Sequence, residues 1–419
     1  MPERGAQRAI VIVLAAGLLA TATIITNGND HFRLPKELVF RAEAIALLAL
    51  GVFWWTSKKK TWVFEWRPEY VLTAIVLLWT IITTATSTNR LLSIDSLITV
   101  LAAVVIFIAT SLAAQTATFA AIDMLMIGAC INAVVVILQE LKIWTPYQPA
   151  PDVDTHMGSV ALLGNPNDVG TYLAAPALAA IVLAVIAGGK RRWIYAVVSV
   201  LLIAGIVASA TRTALIAFIA ALAVFAFTHS RRAAVAVIAM LVVLGAVMSM
   251  PQTVLGRSVR RLADAAKNHD YEQLFSERAV PFLAAFDMWR DHPIVGVGPG
   301  CFKYHFMPYR VALGRHYPPE WTRGYPMNWG EVHDDHLQVA AETGLPGYLL
   351  FLAAIAIVAG RRKRSVAVTK EAAFARAFRW PLAALVLTIT IGQFPLELAA
   401  PRLMLLTLGA LSMTWDRDE

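Results

Sequence analysis

The chain has 419 residues, 58% of them hydrophobic and 15% charged, with a mean hydropathy of +0.62, too apolar for a water-soluble fold of that length. Its formal net charge of +8 resides in short basic clusters between apolar runs, a pattern that orients a membrane protein, so no nucleic-acid partner is expected. Cys130 and Cys301 are the two cysteines, which makes an intramolecular disulfide framework improbable as a source of stability.

Twelve apolar runs follow one another, at roughly 9–26, 38–55, 70–86, 97–113, 120–138, 169–188, 193–209, 213–228, 233–250, 346–360, 379–396 and 401–415. Each approaches the ~20 residues that a helical span needs. The first could be a signal peptide with a cleavage triplet at Ala20-Thr21-Ala22, but its length favours a retained span. With twelve spans, Arg4 and Arg8, Lys58-Lys59-Lys60, Lys190-Arg191-Arg192, Arg231-Arg232 and Arg361-Arg362-Lys363-Arg364 all fall on one side. By the positive-inside rule that side is the cytoplasm, with both termini. The opposite side carries the turn at Thr211-Arg212 and a long segment from Pro251 to Leu345. Tryptophans near predicted helix ends, such as Trp54, Trp55, Trp193 and Trp380, suit the membrane interface, so the surrounding lipids are partners. The expected organisation is a nine-span region over 1–250, a helical outer segment over 251–345 and a three-span region over 346–419.

The outer segment is not a linker. Val280, Phe282, Leu283, Phe286 and Met288-Trp289 alternate with Arg278, Asp287 and Arg290 at helical spacing until Asp291-His292-Pro293, which predicts an amphipathic helix over the membrane mouth. Gly296-Val297-Gly298-Pro299-Gly300 then reads as a turn, since no strand precedes it and proline removes a backbone donor that a dinucleotide fingerprint uses.

Arg212 follows Ser209-Ala210-Thr211, a connection too short for a solvated loop, so its guanidinium belongs at the membrane interface. It either grips a phosphate or snorkels to lipid headgroups. Arg278 either serves the same site or pairs with neighbouring Glu277 at the surface. His333-Asp334-Asp335-His336 places two imidazoles and two carboxylates before a span. An i, i+3 histidine pair on a helix could hold a metal, but only with ligands from His305, His316 or Cys301 at no recognisable spacing. A histidine beside Asp334 or Asp335 reads better as a general base poised near neutral pH, with helix capping as the structural alternative. Gly164-Asn165-Pro166-Asn167-Asp168 reads as a helix N-cap followed by a helix-start proline, whose N-terminus could favour an anion.

These residues resemble the region shared by bacterial O-antigen ligases and O-antigen polymerases. The ligase motif is a histidine, then an amide or hydroxyl residue, nine residues, a glycine, two residues and a glycine. His333, Asp334, Gly344 and Gly347 fit it except that Asp334 is a carboxylate. Gln338, Glu342, Pro293 with the glycine turn, and Gly164-Asn165-Pro166-Asn167 resemble recurrent family segments, and Arg212 and Arg278 fall where the family keeps arginines. The resemblance implies an all-helical fold of twelve spans with a periplasmic segment, akin to C-type membrane glycosyltransferases of the bacterial inner membrane. It implies transfer of a glycan from undecaprenyl diphosphate to an acceptor hydroxyl, such as a lipid A-core sugar, with inversion and with neither metal nor cofactor. His333 is then the base and Arg212 and Arg278 bind diphosphate, supported by Asp334, His336, Gln338, Asn165 and Asn167. Polymerase or protein O-glycosylation activity stands as the alternative acceptor chemistry. A transporter of anionic solutes is the alternative of another class, which the long structured outer segment disfavours.

Overall fold

The computed structural model describes residues 4–27, 30–57, 67–113, 118–146, 159–229, 235, 250, 254–322, 328–360 and 370–414. Helices in chain order are α1 (Arg4–Thr23), α2 (Arg33–Ser57), α3 (Pro68–Thr86), α4 (Arg90–Ala113), α5 (Thr118–Glu140), α6 (Pro166–Ile186), α7 (Gly189–Ala208) and α8 (Arg212–His229). The outer segment contributes α9 (Val254–Lys267), α10 (Tyr271–Leu274), α11 (Ala279–Asp291), α12 (Phe302–His316) and α13 (Pro319–Thr322). The chain ends with α14 (Asp335–Ala359), α15 (Lys370–Ile389) and α16 (Ala399–Thr414).

The fold is a polytopic helical membrane protein. Among the described residues nine helices are long and apolar enough to cross a membrane, and α1 and α16 carry shorter apolar stretches at Gln7–Thr23 and Ala399–Met413. The run expected at 233–250 lies outside the described residues.

Helix α6 is the hub. It is buried almost all round from Val169 to Leu183, whereas the other apolar helices keep a lipid-facing side. A helix apolar on every face must be enclosed by others, and α5, α7, α8 and α15 pack on it. Ala174, Ala175, Ala177, Ala179 and Ala180 allow those neighbours to approach closely.

Two expected boundaries shift. The run placed at 379–396 is helical only to Ile389; the chain then turns at Gly392, which has φ +78°, and passes through a short 3₁₀ turn at Pro395–Glu397. The run placed from 346 belongs to a helix that starts at Asp335, because Asp334 caps it there, and that is interrupted at Gly344. Both departures occur beside His333.

The amphipathic helix is present as α11. Its Val280, Ala284, Ala285 and Met288 form a second, smaller core with Val297, Phe302, Phe306, Val332 and Ala341. The glycine turn is clasped onto α14: Val297 N–H donates to Ala341 O, Gly298 N–H to Glu342 O and Leu345 N–H to Pro293 O. Gly344 has φ +70°, and a Cβ there would overlap the Ile294 carbonyl, so only glycine suits this crossing. Glu342 completes the clasp by accepting from Gly300 N–H at 2.7 Å and Phe302 N–H at 3.0 Å, which caps α12.

Candidate active site

Residues 331–336 are held from several directions. Asp334 Oδ1 accepts from Leu337 N–H at 2.9 Å as the N-cap of α14, and its Oδ2 accepts from Gly392 N–H at 3.2 Å. Gln338 Oε1 accepts from Val332 N–H at 3.0 Å. Asp335 N–H donates to Thr390 O and Gln393 O, while Asp335 Oδ2 accepts from Leu396 N–H. Asp334, Asp335 and Gln338 therefore fix the peptide that bears His333. That residue sits at φ +62°, a left-handed conformation costing on the order of 1–3 kcal/mol for a non-glycine residue.

The His333 ring packs edge-on against Trp329, at 5.0 Å between centroids, and Phe394, at 4.3 Å. Its Nδ1 is buried with no hydrogen-bond partner. Loss of solvation lowers its pKa to about 3, assisted by the positive charges of Arg278 and Arg33. The expectation of a base poised near neutrality is thus corrected, because Asp334 is occupied with backbone donors and the nearby charges are cationic.

Arg212 starts α8 immediately after the Ser209-Ala210-Thr211 turn, where Ala210 has φ +52°. Thr211 Oγ1 donates to Pro166 O at 2.8 Å, docking the turn on the start of α6. There Asn165 Oδ1 accepts from Asn167 N–H at 2.9 Å, the expected cap. Arg212 Nη2 donates to Ser276 Oγ at 2.5 Å, so its guanidinium reaches the outer segment.

Arg278 is the N-cap position of α11, and Ser276 and Glu277 before it both have positive φ. Its Nη1 donates to Gly392 O at 2.5 Å, so the surface pairing with Glu277 is not formed. Removal from water brings its pKa down to about 10; Arg212 pushes the same way, while Asp168 and Asp334 partly oppose. Arg278 and Asp334 thus grip the two sides of Gly392, tying both to the turn that presents Phe394. Neither Arg212 nor Arg278 has a carboxylate partner among the described residues.

His336 has a different environment. Its Nδ1 lies 3.2 Å from Tyr348 Oη and its Nε2 2.9 Å from Thr390 Oγ1. Since His333 precedes the helix with φ +62°, the two histidines do not share the helical face that an i, i+3 metal pair requires. No group of three or more His, Cys, Asp or Glu among the described residues is placed to hold a metal ion.

Three participants escaped sequence reading. Arg33 pairs with Glu331 at 2.8 Å, and its guanidinium lies 5.4 Å over the Phe394 ring. Asp168 has Arg33, Glu331 and Arg278 as electrostatic neighbours. Arg33 and Glu331 are 298 residues apart, and no local motif links them. The backbone marks the residues that were read: of seven non-glycine residues with positive φ among the described residues, Ala210, Ser276, Glu277 and His333 lie at or beside Arg212, Arg278 and His333. Strain of this kind concentrates at functional sites.

A comparison with curated proteins gives no match. The family model described as O-antigen ligase matches residues 197–352, the stretch that holds all three of those residues. By that match residues 197–352 are similar to the O-antigen ligase family, within a polytopic helical membrane protein.

Proposed function

We propose that this protein transfers a glycan from undecaprenyl diphosphate to a lipid A-core sugar hydroxyl at the periplasmic face of the bacterial inner membrane, with inversion at the anomeric carbon. The observation that carries this reading is the pair of arginines without a salt-bridged carboxylate, Arg212 and Arg278, close enough to repel one another, with the Arg278 charge also felt by His333. Two cations with no carboxylate in salt-bridge contact among the described residues favour a dianionic ligand, and guanidinium forks suit phosphate oxygens.

In the reaction the acceptor oxygen forms a bond to the anomeric carbon as the bond from that carbon to the diphosphate breaks. The electron pair leaves on the diphosphate, where Arg212 and Arg278 stabilise the charge. The acceptor proton passes to the His333 imidazole and then to water. Free His333 is a weak base chiefly because it is removed from water, with the charges of Arg278 and Arg33 adding to the effect. A bound diphosphate offsets the Arg278 charge and raises the imidazole's affinity for a proton, so the base strengthens when the donor is in place. Gln338 and Asp334 hold the backbone of His333, Asn165 and Asn167 shape the helix start behind Arg212, and His336 braces α14 on α15. The donor is reached from a membrane region over 1–250 and 346–419 and an outer segment over 251–345, with both termini cytoplasmic.

The test uses purified protein, undecaprenyl-diphosphate-linked glycan and rough lipopolysaccharide. His333→Ala is expected to lower turnover by about a hundred- to ten-thousand-fold while retaining donor binding. Arg212→Lys is expected to weaken donor binding and turnover together, because a point charge lacks the planar fork. Full transfer by both variants rules the assignment out.

A further inference from the structure

Helix α9 divides into two faces. Arg257, Arg260, Arg261, Asp264 and Lys267 recur at the three- and four-residue steps that gather them on one side, four bases against a single carboxylate. Val259, Leu262 and Ala266 follow the same spacing on the other side.

Neither face is satisfied by protein. Arg260, Arg261 and Lys267 are exposed and form no salt bridge with a carboxylate among the described residues. The apolar side is the more telling: Val259 and Ala266 are exposed as well, Leu262 is half-buried, and the main helix packed on α9 is the single turn of α10. A helix lying on a water-soluble core turns its apolar side inward. This one leaves it open.

Two contacts place α9 at the level of the membrane surface. Arg212, the first residue of a span-length helix, donates to Ser276 just beyond α10 and has Arg261 as an electrostatic neighbour. Beside α9, Tyr271 of α10 stacks on Trp321 at 4.1 Å between ring centroids, with Phe275 at 6.0 Å from the same indole and 36% exposed. Half-exposed aromatic rings of this kind lodge at the headgroup level of a bilayer.

We infer that α9 lies in the plane of the membrane surface, with Val259, Leu262 and Ala266 against acyl chains and the basic face on the phosphates of anionic phospholipid headgroups. Charge complementarity selects this occupant, because an excess of bases above an exposed apolar stripe is drawn to an anionic interface. The long arginine and lysine stems reach from the water-facing side back to the phosphate plane. The inference goes beyond the transferase reading and does not depend on it. A helix held by headgroups fixes the outer segment, through α10 and Ser276, over the start of α8.

The experiment uses full-length protein with Cys130→Ser and Cys301→Ser, carrying bimane on Ala266→Cys or on Asp264→Cys, in nanodiscs of phosphatidylcholine and phosphatidylglycerol. Bimane at 266 is expected to be quenched by doxyl-labelled lipid and shielded from aqueous iodide, and bimane at 264 to show the reverse. Doxyl carried on phosphatidylglycerol is expected to quench position 266 about threefold or more strongly than doxyl on phosphatidylcholine, as attraction by several bases implies. Arg257→Gln, Arg260→Gln and Lys267→Gln together are expected to bring the two lipids within about 1.5-fold of each other. Raising NaCl to about 0.5 M is expected to do the same with the bases intact, a measurement independent of how the substituted protein folds. Iodide quenching at 266 equal to that at 264 shows a solvated helix and overturns the inference. Equal quenching by the two doxyl lipids with the bases intact, or a preference that survives either the substitutions or the salt, overturns the headgroup assignment. A preference that appears only when lipid A is added makes lipid A the occupant and overturns it as well.

Discussion

His333 combines a strained backbone, a buried and unpartnered Nδ1 and two nearby cations. Its pKa of about 3 lies below the ordinary histidine value, so between about pH 3 and 6.5 the unfolded chain binds a proton there that the folded protein does not. The stability due to the neutral ring is therefore present above pH 6.5 and is lost as pH falls through that window. For activity the same shift has a distinct signature. The acid limb of kcat/KM for the donor, which reports the free enzyme, is expected well below pH 6.5. The acid limb of kcat is expected at higher pH, because bound diphosphate offsets Arg278. An acid limb at pH 6.5 in both profiles contradicts this account of the base. Asp334 offers the complementary test. Its two oxygens face Leu337 and Gly392 N–H groups, so Asp334→Asn is expected to leave the pH profile in place, whereas Asp334→Ala should cost about 1 kcal/mol through the lost cap.

At the scale of elements, the site depends on α14 being two helices rather than one. Gly344 interrupts it where Ile294 crosses, and the freed Thr343 carbonyl accepts from Trp79 Nε1–H at 2.9 Å. Through this crossing α11 and the glycine turn are locked to the same helix start that carries His333. Gly344→Ala must strain a left-handed backbone and displace Ile294, so it is expected to lower the melting temperature and reduce turnover although it touches no substrate. Unchanged melting and turnover would show that the clasp does not hold the site together. Much of this was legible beforehand: the glycine–proline turn, the amphipathic α11 and the Asn165 cap all follow from local spacing. The bend at Gly392 was not, because the apolar residues of 390–396 extend the hydropathy of α15 while their backbone turns to contact Arg278 and Asp334. Hydropathy reports what a segment avoids, and it says little about where a backbone carbonyl is aimed.

For the whole molecule, apolar run length revealed the membrane class, and Arg212 and His333 stood out as polar groups at the edges of spans, with Arg278 at the start of the amphipathic helix. Their convergence could not be read, since Arg33 meets Glu331 across 298 residues and Arg278 meets Gly392 across 114. Such pairings arise only when the helices pack around α6. The same packing constrains topology. Arg212 and Ser276 are in contact, so the start of α8 and the α10–α11 connection lie on one side of the membrane. Helix α8 is long and apolar enough to carry the chain across to His229, and with that crossing a return is expected before Ser276. The segment 233–250 is the apolar run available for that return. Single cysteines at Thr228 and Asn268, placed in a Cys130→Ser, Cys301→Ser background that retains activity, test this directly with a membrane-impermeant maleimide on spheroplasts. Asn268→Cys is expected to label in intact spheroplasts, and Thr228→Cys only after the membrane is opened, because the positive-inside rule assigns the adjacent Arg231-Arg232 cluster to the cytoplasm. Labelling of both in intact spheroplasts would remove the ninth span and, with it, the parity that puts every basic cluster on one side.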